Sequence, residues 1–77
     1  MDKQELKNVM ERVFGANAFS SEITDKYEIR QRSIRNEEEA KTYLKDLKAN
    51  GYYTRKKFFS EFVYICGIKP KPAQAAN

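Results

Sequence analysis

The 77-residue chain contains no histidine, one cysteine and only three glycines. Without histidine it lacks the usual general base at neutral pH and the commonest metal ligand. One cysteine cannot supply an ordinary zinc site or form a disulfide within the chain. Three scattered glycines make no phosphate-binding loop. These absences predict a protein that is not an enzyme and that holds no metal and no cofactor.

Long apolar runs are also missing. No stretch approaches the roughly 20 apolar residues that a membrane-spanning helix needs, and the polar N-terminus has no apolar core of a signal peptide behind it. Cys66 has apolar neighbours, which is typical of a buried, inert thiol rather than a reactive one. We therefore expect a cytoplasmic protein that does not bind membranes.

The length of the chain limits the size of its core. A domain of this size buries only about 60% of the surface that its unfolded chain exposes, so a deep catalytic pocket is hard to build. With 40% hydrophobic and 34% charged residues, the composition is that of a folded domain. We predict one domain over residues 1–68 and a disordered tail of Lys, Pro and Ala over residues 69–77.

Two elements are predicted before residue 35. The apolar residues of the first segment follow the helical spacing i, i+3, i+4, i+7, i+8, and Gly15 stands where a helix commonly stops. Residues 15–25 are predicted to form a loop. From Lys26 to Ile34 apolar and charged residues alternate with a period of two, which favours a strand. The alternative is a helix whose apolar face would use Ile23, Tyr27 and Ile34, but that face would have a gap.

The next helix has the clearest signals in the chain. Asn36 is a good N-cap, and three glutamates follow it where the helix dipole favours negative charge. Gly51 suits the left-handed position after the last helical residue. The apolar stripe between these ends consists of Ala40, Tyr43, Leu44 and Leu47.

Residues 52–68 allow two interpretations. Their Tyr, Phe, Val, Ile and Thr content favours a hairpin that turns near Ser60-Glu61, although this turn has neither Gly nor Asn. A helix capped by Thr54 would also gather the apolar residues in a stripe, but three cations would then crowd its positive end. We favour the hairpin, with a mainly α fold in which 54–66 is helical as the alternative.

The hairpin interpretation gives an αβαββ chain of α+β class. We predict a two-layer domain in which both helices cover one face of a three-stranded sheet. Alternation along the strands then places cations and aromatic rings together on the open face. The predicted helix-facing side chains are Tyr27, Ile29, Tyr52, Phe58, Val63 and Ile65. The predicted open-face residues are Arg30, Arg32, Tyr53, Arg55, Lys57, Phe59, Phe62 and Tyr64, and all of them except Phe62 are the candidate binding residues.

A net charge of +4 and a pI near 9.3 favour anionic partners without identifying one. An exposed apolar face commonly marks an interface with another protein or with a second copy of the chain. Our first hypothesis is therefore a non-catalytic regulatory or accessory module that associates with another protein or with itself. The alternative is a small nucleic-acid-binding protein, because rings on a sheet stack on bases while cations contact phosphates.

Overall fold

The computed structural model describes residues 3–72 as three helices and one sheet. The helices are α1 (Lys3–Val13), α2 (Ser21–Lys26) and α3 (Glu37–Ala49), and the strands are β1 (Tyr27–Ile34), β2 (Tyr53–Phe58) and β3 (Val63–Pro70). None of the helices within this range is both long and apolar enough to cross a membrane. The predicted tail over 69–77 is described only to residue 72, and its first two residues belong to β3.

The helix ends follow from local hydrogen bonds. The side chain of Asn36 accepts a hydrogen bond from the Glu39 N–H at 2.9 Å, which confirms the predicted cap of α3. Gly51 has a φ of 86° and leaves this helix in the left-handed region. The short helix α2 lies where the sequence predicted a loop. Its N-cap, Ser20, accepts from the Ile23 N–H, a signal that the loop interpretation overlooked.

The hairpin interpretation of residues 52–68 is confirmed. β2 and β3 pair antiparallel, with Phe58 opposite Val63 at the closed end. The Phe59 N–H donates to the Phe62 carbonyl at 2.8 Å and closes the turn around Ser60-Glu61. The helical alternative is excluded because these backbone groups pair across the hairpin.

β3 is the central strand of the sheet. The strand order is β1-β3-β2, and both outer strands run antiparallel to β3. β1 and β2 are therefore parallel to each other, and α3 connects them by crossing over the central strand. Pro70 is tolerated in β3 because only β1 pairs with it there, at Tyr27, whereas the pairing with β2 reaches only to Ile68.

The α+β class and the three-stranded sheet are confirmed, but the prediction that both helices cover one face is wrong. One core cluster joins α1 to Cys66 and Ile68, and a second joins α3 to Val63 and Ile65. Since successive strand residues point to opposite faces, α1 and α3 lie on opposite sides of the sheet. We call these sides the α1 face and the α3 face.

The sequence of β3 explains this arrangement. Residues 63–68 read Val-Tyr-Ile-Cys-Gly-Ile, with no alternation between apolar and polar side chains. Such a run is typical of a strand that is buried on both faces. All of these residues except the half-buried Tyr64 are buried. The predicted helix-facing set is divided accordingly, with Tyr27 and Ile29 in the α1 cluster and Tyr52, Val63 and Ile65 in the α3 cluster.

Candidate functional site

The candidate residues on β1 lie on the α3 face, apart from the other five. The Arg32 guanidinium forms an ion pair with Glu39 at 2.8 Å and lies 5.2 Å from the centre of the Tyr43 ring. The Arg30 guanidinium lies 5.7 Å from the centre of the Tyr52 ring. Both arginines are exposed, but they line the edge where α3 packs on β1 and form no common site with the hairpin.

Tyr53 and Tyr64 lie on the α1 face and have packing roles. Both rings are half-buried against the cluster around α1. The Tyr64 hydroxyl accepts from the Gly15 N–H at 3.1 Å and donates to the Gln31 side chain. Its ring meets the Phe14 ring edge to face, 5.0 Å between centres. Burial raises the pKa of Tyr64, whereas the hydrogen bond from Gly15 acts in the opposite direction. The ring therefore anchors the end of α1 to the sheet.

The remaining three candidates come together around the β2–β3 turn. The Arg55 guanidinium lies 4.4 Å from the centre of the Phe14 ring, and the Lys57 ammonium lies 5.3 Å from that of Phe59. Phe59 stacks on Phe62 with 4.7 Å between ring centres. Cations within about 6 Å of a ring face are attracted by its quadrupole. The turn thus holds cations and rings in alternation.

Two residues of this region were not placed on the predicted open face. Phe58 was predicted to face the helices, yet its side chain is 70% exposed on the α3 face. The Lys56 ammonium lies 5.4 Å from the centre of the Phe58 ring. Phe58 lines a pocket whose other wall is formed by α3, with the small Ala40 among its lining residues. The uninterrupted run of cations and phenylalanines before a turn was the signal that could have included them.

We call this group of side chains the basic-aromatic hairpin. It consists of Arg55, Lys56, Lys57, Phe58, Phe59 and Phe62. Within residues 3–72, Phe58 and Phe59 are the two large hydrophobic side chains that are exposed. The cations lie on both faces of β2, because strand residues alternate. The hairpin is therefore positively charged on either side and apolar at its tip.

A small pocket of about 90 Å³ lies between β2 and α3. Its floor is apolar and its rim carries charged groups. The lining residues are Glu37, Ala40, Lys41, Leu44, Lys56, Phe58, Val63 and Ile65. Helix, outer strand and central strand all contribute to it, so it runs beside the hairpin on the α3 face.

Cys66 is fully buried in the α1 cluster. Burial raises the pKa of its thiol to about 11, which keeps it protonated at neutral pH. This agrees with the predicted buried thiol.

Within the described range, no three His, Cys, Asp or Glu side chains converge as metal ligands would. What the hairpin offers is attraction for anions together with apolar contact area.

No family model matches the chain, and comparisons with curated proteins and with solved structures find no significant similarity.

Proposed function

We propose that the protein acts without catalysis, by stoichiometric association with another protein through the basic-aromatic hairpin. The observation that carries the proposal is the exposure of two phenylalanines, 70% for Phe58 and 46% for Phe59, directly after three consecutive cations. Apolar groups that a small domain leaves in water commonly mark an interface. Aromatic rings are also enriched among the residues that contribute most to binding energy.

The surrounding charge indicates the character of the partner. Arg55, Lys56 and Lys57 are consecutive and exposed, and their cationic ends reach the rings of the tip or of Phe14. Complementary charge steers association and excludes partners of the wrong sign. We therefore propose a partner surface that combines acidic side chains with apolar ones.

Nucleic-acid binding is the second candidate, and the pairing of each cation with a ring favours it. The distances from cation to ring centre are 4.4, 5.4 and 5.3 Å for Arg55, Lys56 and Lys57. A ring beside a cation can stack on a base while the cation meets the phosphate. On the other hand, Phe59 already stacks on Phe62 and is less exposed than Phe58. This leaves Phe58 as the more accessible platform, so we rank protein association first.

The test compares two charge reversals. Lys56→Glu with Lys57→Glu alters the hairpin, whereas Lys7→Glu with Lys45→Glu alters exposed positions on α1 and α3. Each pair lowers the net charge from +4 to 0, so a difference between them reports position rather than total charge. A photoreactive phenylalanine analogue replaces Phe58 in each protein, and crosslinked products from the native host are compared.

The proposal predicts one crosslinked protein species that the Lys7/Lys45 variant retains and the Lys56/Lys57 variant loses. Equal capture by both variants would contradict it. If the protein instead binds nucleic acid, it should retain an oligonucleotide, and the log of the binding affinity should fall linearly with the log of the salt concentration. The slope should be smaller for the Lys56/Lys57 variant. Sedimentation at several concentrations shows whether the crosslinked protein is a second copy of the chain.

We also propose a cytoplasmic location for this association. It is supported by Cys66, a free thiol in the core that needs no oxidising compartment. A fluorescent fusion expressed in the host, followed by fractionation, tests it, and recovery with secreted proteins would contradict it.

A further inference from the structure

The outer edge of β2 carries backbone groups that no strand pairs with in the described range. β2 is an end strand of the order β1-β3-β2. The Phe59 N–H donates to the Phe62 carbonyl across the hairpin. In an antiparallel ladder the residues that point inward alternate with those that point outward. The main-chain groups that bond to β3 are therefore those of Tyr53, Arg55 and Lys57. The N–H and C=O groups of the three alternate residues point outward, away from the sheet. These residues are Thr54, Lys56 and Phe58.

The register on the other side of β3 supports this assignment. The Lys71 N–H donates to the Lys26 carbonyl, which makes Val63, Ile65 and Gly67 the residues that bond to β1. Tyr64 and Cys66 are thus left to bond to β2, opposite Lys57 and Arg55. The two ladders agree, so the outward groups of β2 are fixed by the register.

The outward residues share their face with the apolar pocket. Lys56 and Phe58 line it, together with Ala40 and Leu44 of α3 and Ile65 of the central strand. A strand that paired with the free edge would also place alternate side chains on this face. A directly opposite side chain would lie about 4.5–5.5 Å from Lys56 or Phe58 between Cβ atoms. The pocket volume of about 90 Å³ is several times the roughly 10–15 Å³ that a cavity needs to hold one water, so it offers space for an aliphatic group.

The cations on β2 favour a strand from a different protein over a strand from a second copy of this chain. Pairing β2 with its own copy would bring Arg55, Lys56 and Lys57 against the same three cations, and like charges opposite each other destabilise a sheet. Pairing it with β1 of a copy would meet Arg30 and Arg32, which are also exposed. Cations on an end strand generally block such self-association. The pocket rim has Lys41 and Lys56 against one acid, Glu37. Acidic side chains complement this edge.

We propose that β2 accepts an extended acidic segment of a partner protein by strand addition, with one aliphatic side chain of the segment in the pocket beside Ala40 and Leu44. This rests on the proposed protein association and specifies its mode. Main-chain hydrogen bonds to Thr54, Lys56 and Phe58 supply affinity, and the pocket and the cations supply selectivity. Strand addition requires an outward N–H at Lys56, whereas binding by charge alone does not.

The test therefore uses two substitutions at one position. Lys56→Ala removes the ammonium and keeps the N–H, whereas Lys56→Pro removes both. Proline is tolerated on an end strand where its nitrogen faces solvent, and circular dichroism with urea unfolding checks that both variants are folded. The probe is a displayed library of random twelve-residue peptides selected on the wild-type protein. Selected peptides are then measured against all three proteins by fluorescence anisotropy.

We expect the selected peptides to alternate acidic and aliphatic residues. Lys56→Pro should weaken them at least about tenfold more than Lys56→Ala, because it removes a ladder hydrogen bond and places a ring at the edge. N-methylation of every second peptide amide should abolish binding when the methylated amides are those that face β2. Methylation of the other set should leave binding intact. Backbone amide shifts should concentrate in residues 53–58.

Equal binding by the alanine and proline variants would overturn the proposal. Selection of peptides without acidic residues would also overturn it, as would changes in the protein's amide chemical shifts that lie away from β2. If oligonucleotides bound instead and displaced the peptides, the hairpin would be a nucleic-acid site and the proposal would also fall. A host protein that still crosslinks at Phe58 in the Lys56→Pro variant would leave the proposed function standing while strand addition failed. Absence of any protein crosslink in the wild type would remove both.

Discussion

Gly67 is the position where we expect a single methyl group to weaken the protein. It lies in the middle of β3, on the α3 face, where α3 and the segment before β2 approach the sheet. A Cβ atom added there would lie 3.0 Å from Cδ1 of Leu47 and 3.2 Å from Cβ of Tyr52. Ordinary contacts between carbon atoms are about 3.5–4.0 Å, so Gly67→Ala must displace both neighbours.

The expected magnitude is a balance of two effects. Alanine is favoured over glycine within a strand by about 0.5–1 kcal/mol, because glycine loses more conformational freedom on folding. Overpacking of a well-packed core costs about 1–3 kcal/mol. Leu47 is only 4% exposed and Tyr52 only 7%, and Cβ of Tyr52 cannot move without its backbone. The cost of overpacking therefore exceeds the gain from the lower chain entropy of alanine, and we expect a net loss of about 1–2 kcal/mol in the free energy of unfolding.

Urea unfolding followed by far-ultraviolet circular dichroism measures this loss. For a small domain with a slope of about 1 kcal/mol per molar urea, the midpoint should fall by about 1–2 M with an unchanged slope. The melting temperature should fall by about 4–16 °C, since 1 kcal/mol corresponds to about 4–8 °C at this size. Leu47→Val is the companion variant, because it removes the δ-carbon that the new methyl group would meet.

A Gly67→Ala variant as stable as the wild type would refute this reasoning, because the gain in chain entropy would then have decided the sign. The double variant Gly67→Ala with Leu47→Val should be more stable than the sum of the single effects by at least about 0.5 kcal/mol. Strict additivity would show that the methyl group does not press on Leu47.

Two further predictions concern Phe58 and Cys66. Phe58→Ala should lower the free energy of unfolding by only about 1–2 kcal/mol, against about 3–5 kcal/mol for a buried phenylalanine, because Phe58 is 70% exposed. Urea unfolding measures this loss, and a larger loss would place the ring in the core. The buried Cys66 has a pKa raised from 9.0 to about 11, so its contribution is fully present below pH 9 and is lost as the pH rises towards 11. Wild type should therefore lose about 2 kcal/mol more than Cys66→Ala between pH 8 and pH 11, and parallel curves would contradict the burial of the thiol.

Most of the secondary structure could be predicted because its signals are local. Asn36 and Gly51 mark the two ends of α3 through one side-chain hydrogen bond and one left-handed residue. The period of two over residues 26–34 specified β1. The six-residue helix α2 was missed, since a single buried residue, Ile23, gives no periodicity. The hairpin was harder to predict because its turn has neither Gly nor Asn.

The candidate site was predicted only in part, because its premise was an open sheet face. Arg55, Lys57 and Phe59 belong to the exposed hairpin, but Arg30 and Arg32 are held on the other side of the sheet by contacts with α3 residues and Tyr52. Alternation assigns the residues of one strand to two faces, but it does not show which faces of different strands coincide in the sheet. Which helix covers each face is not encoded in that alternation.

The sequence by itself determined the ends of α3, the strand character of β1, the buried thiol and the absence of histidine chemistry, and it favoured the α+β class over a mainly α one. These follow from periodicity, caps and composition, which act over a few residues. The tertiary structure decided the strand order, the placement of α1 and α3 on opposite faces, and the free edge of β2 beside an apolar pocket. Those features depend on how β3 buries both of its faces, and that burial is satisfied only when segments distant in the chain meet.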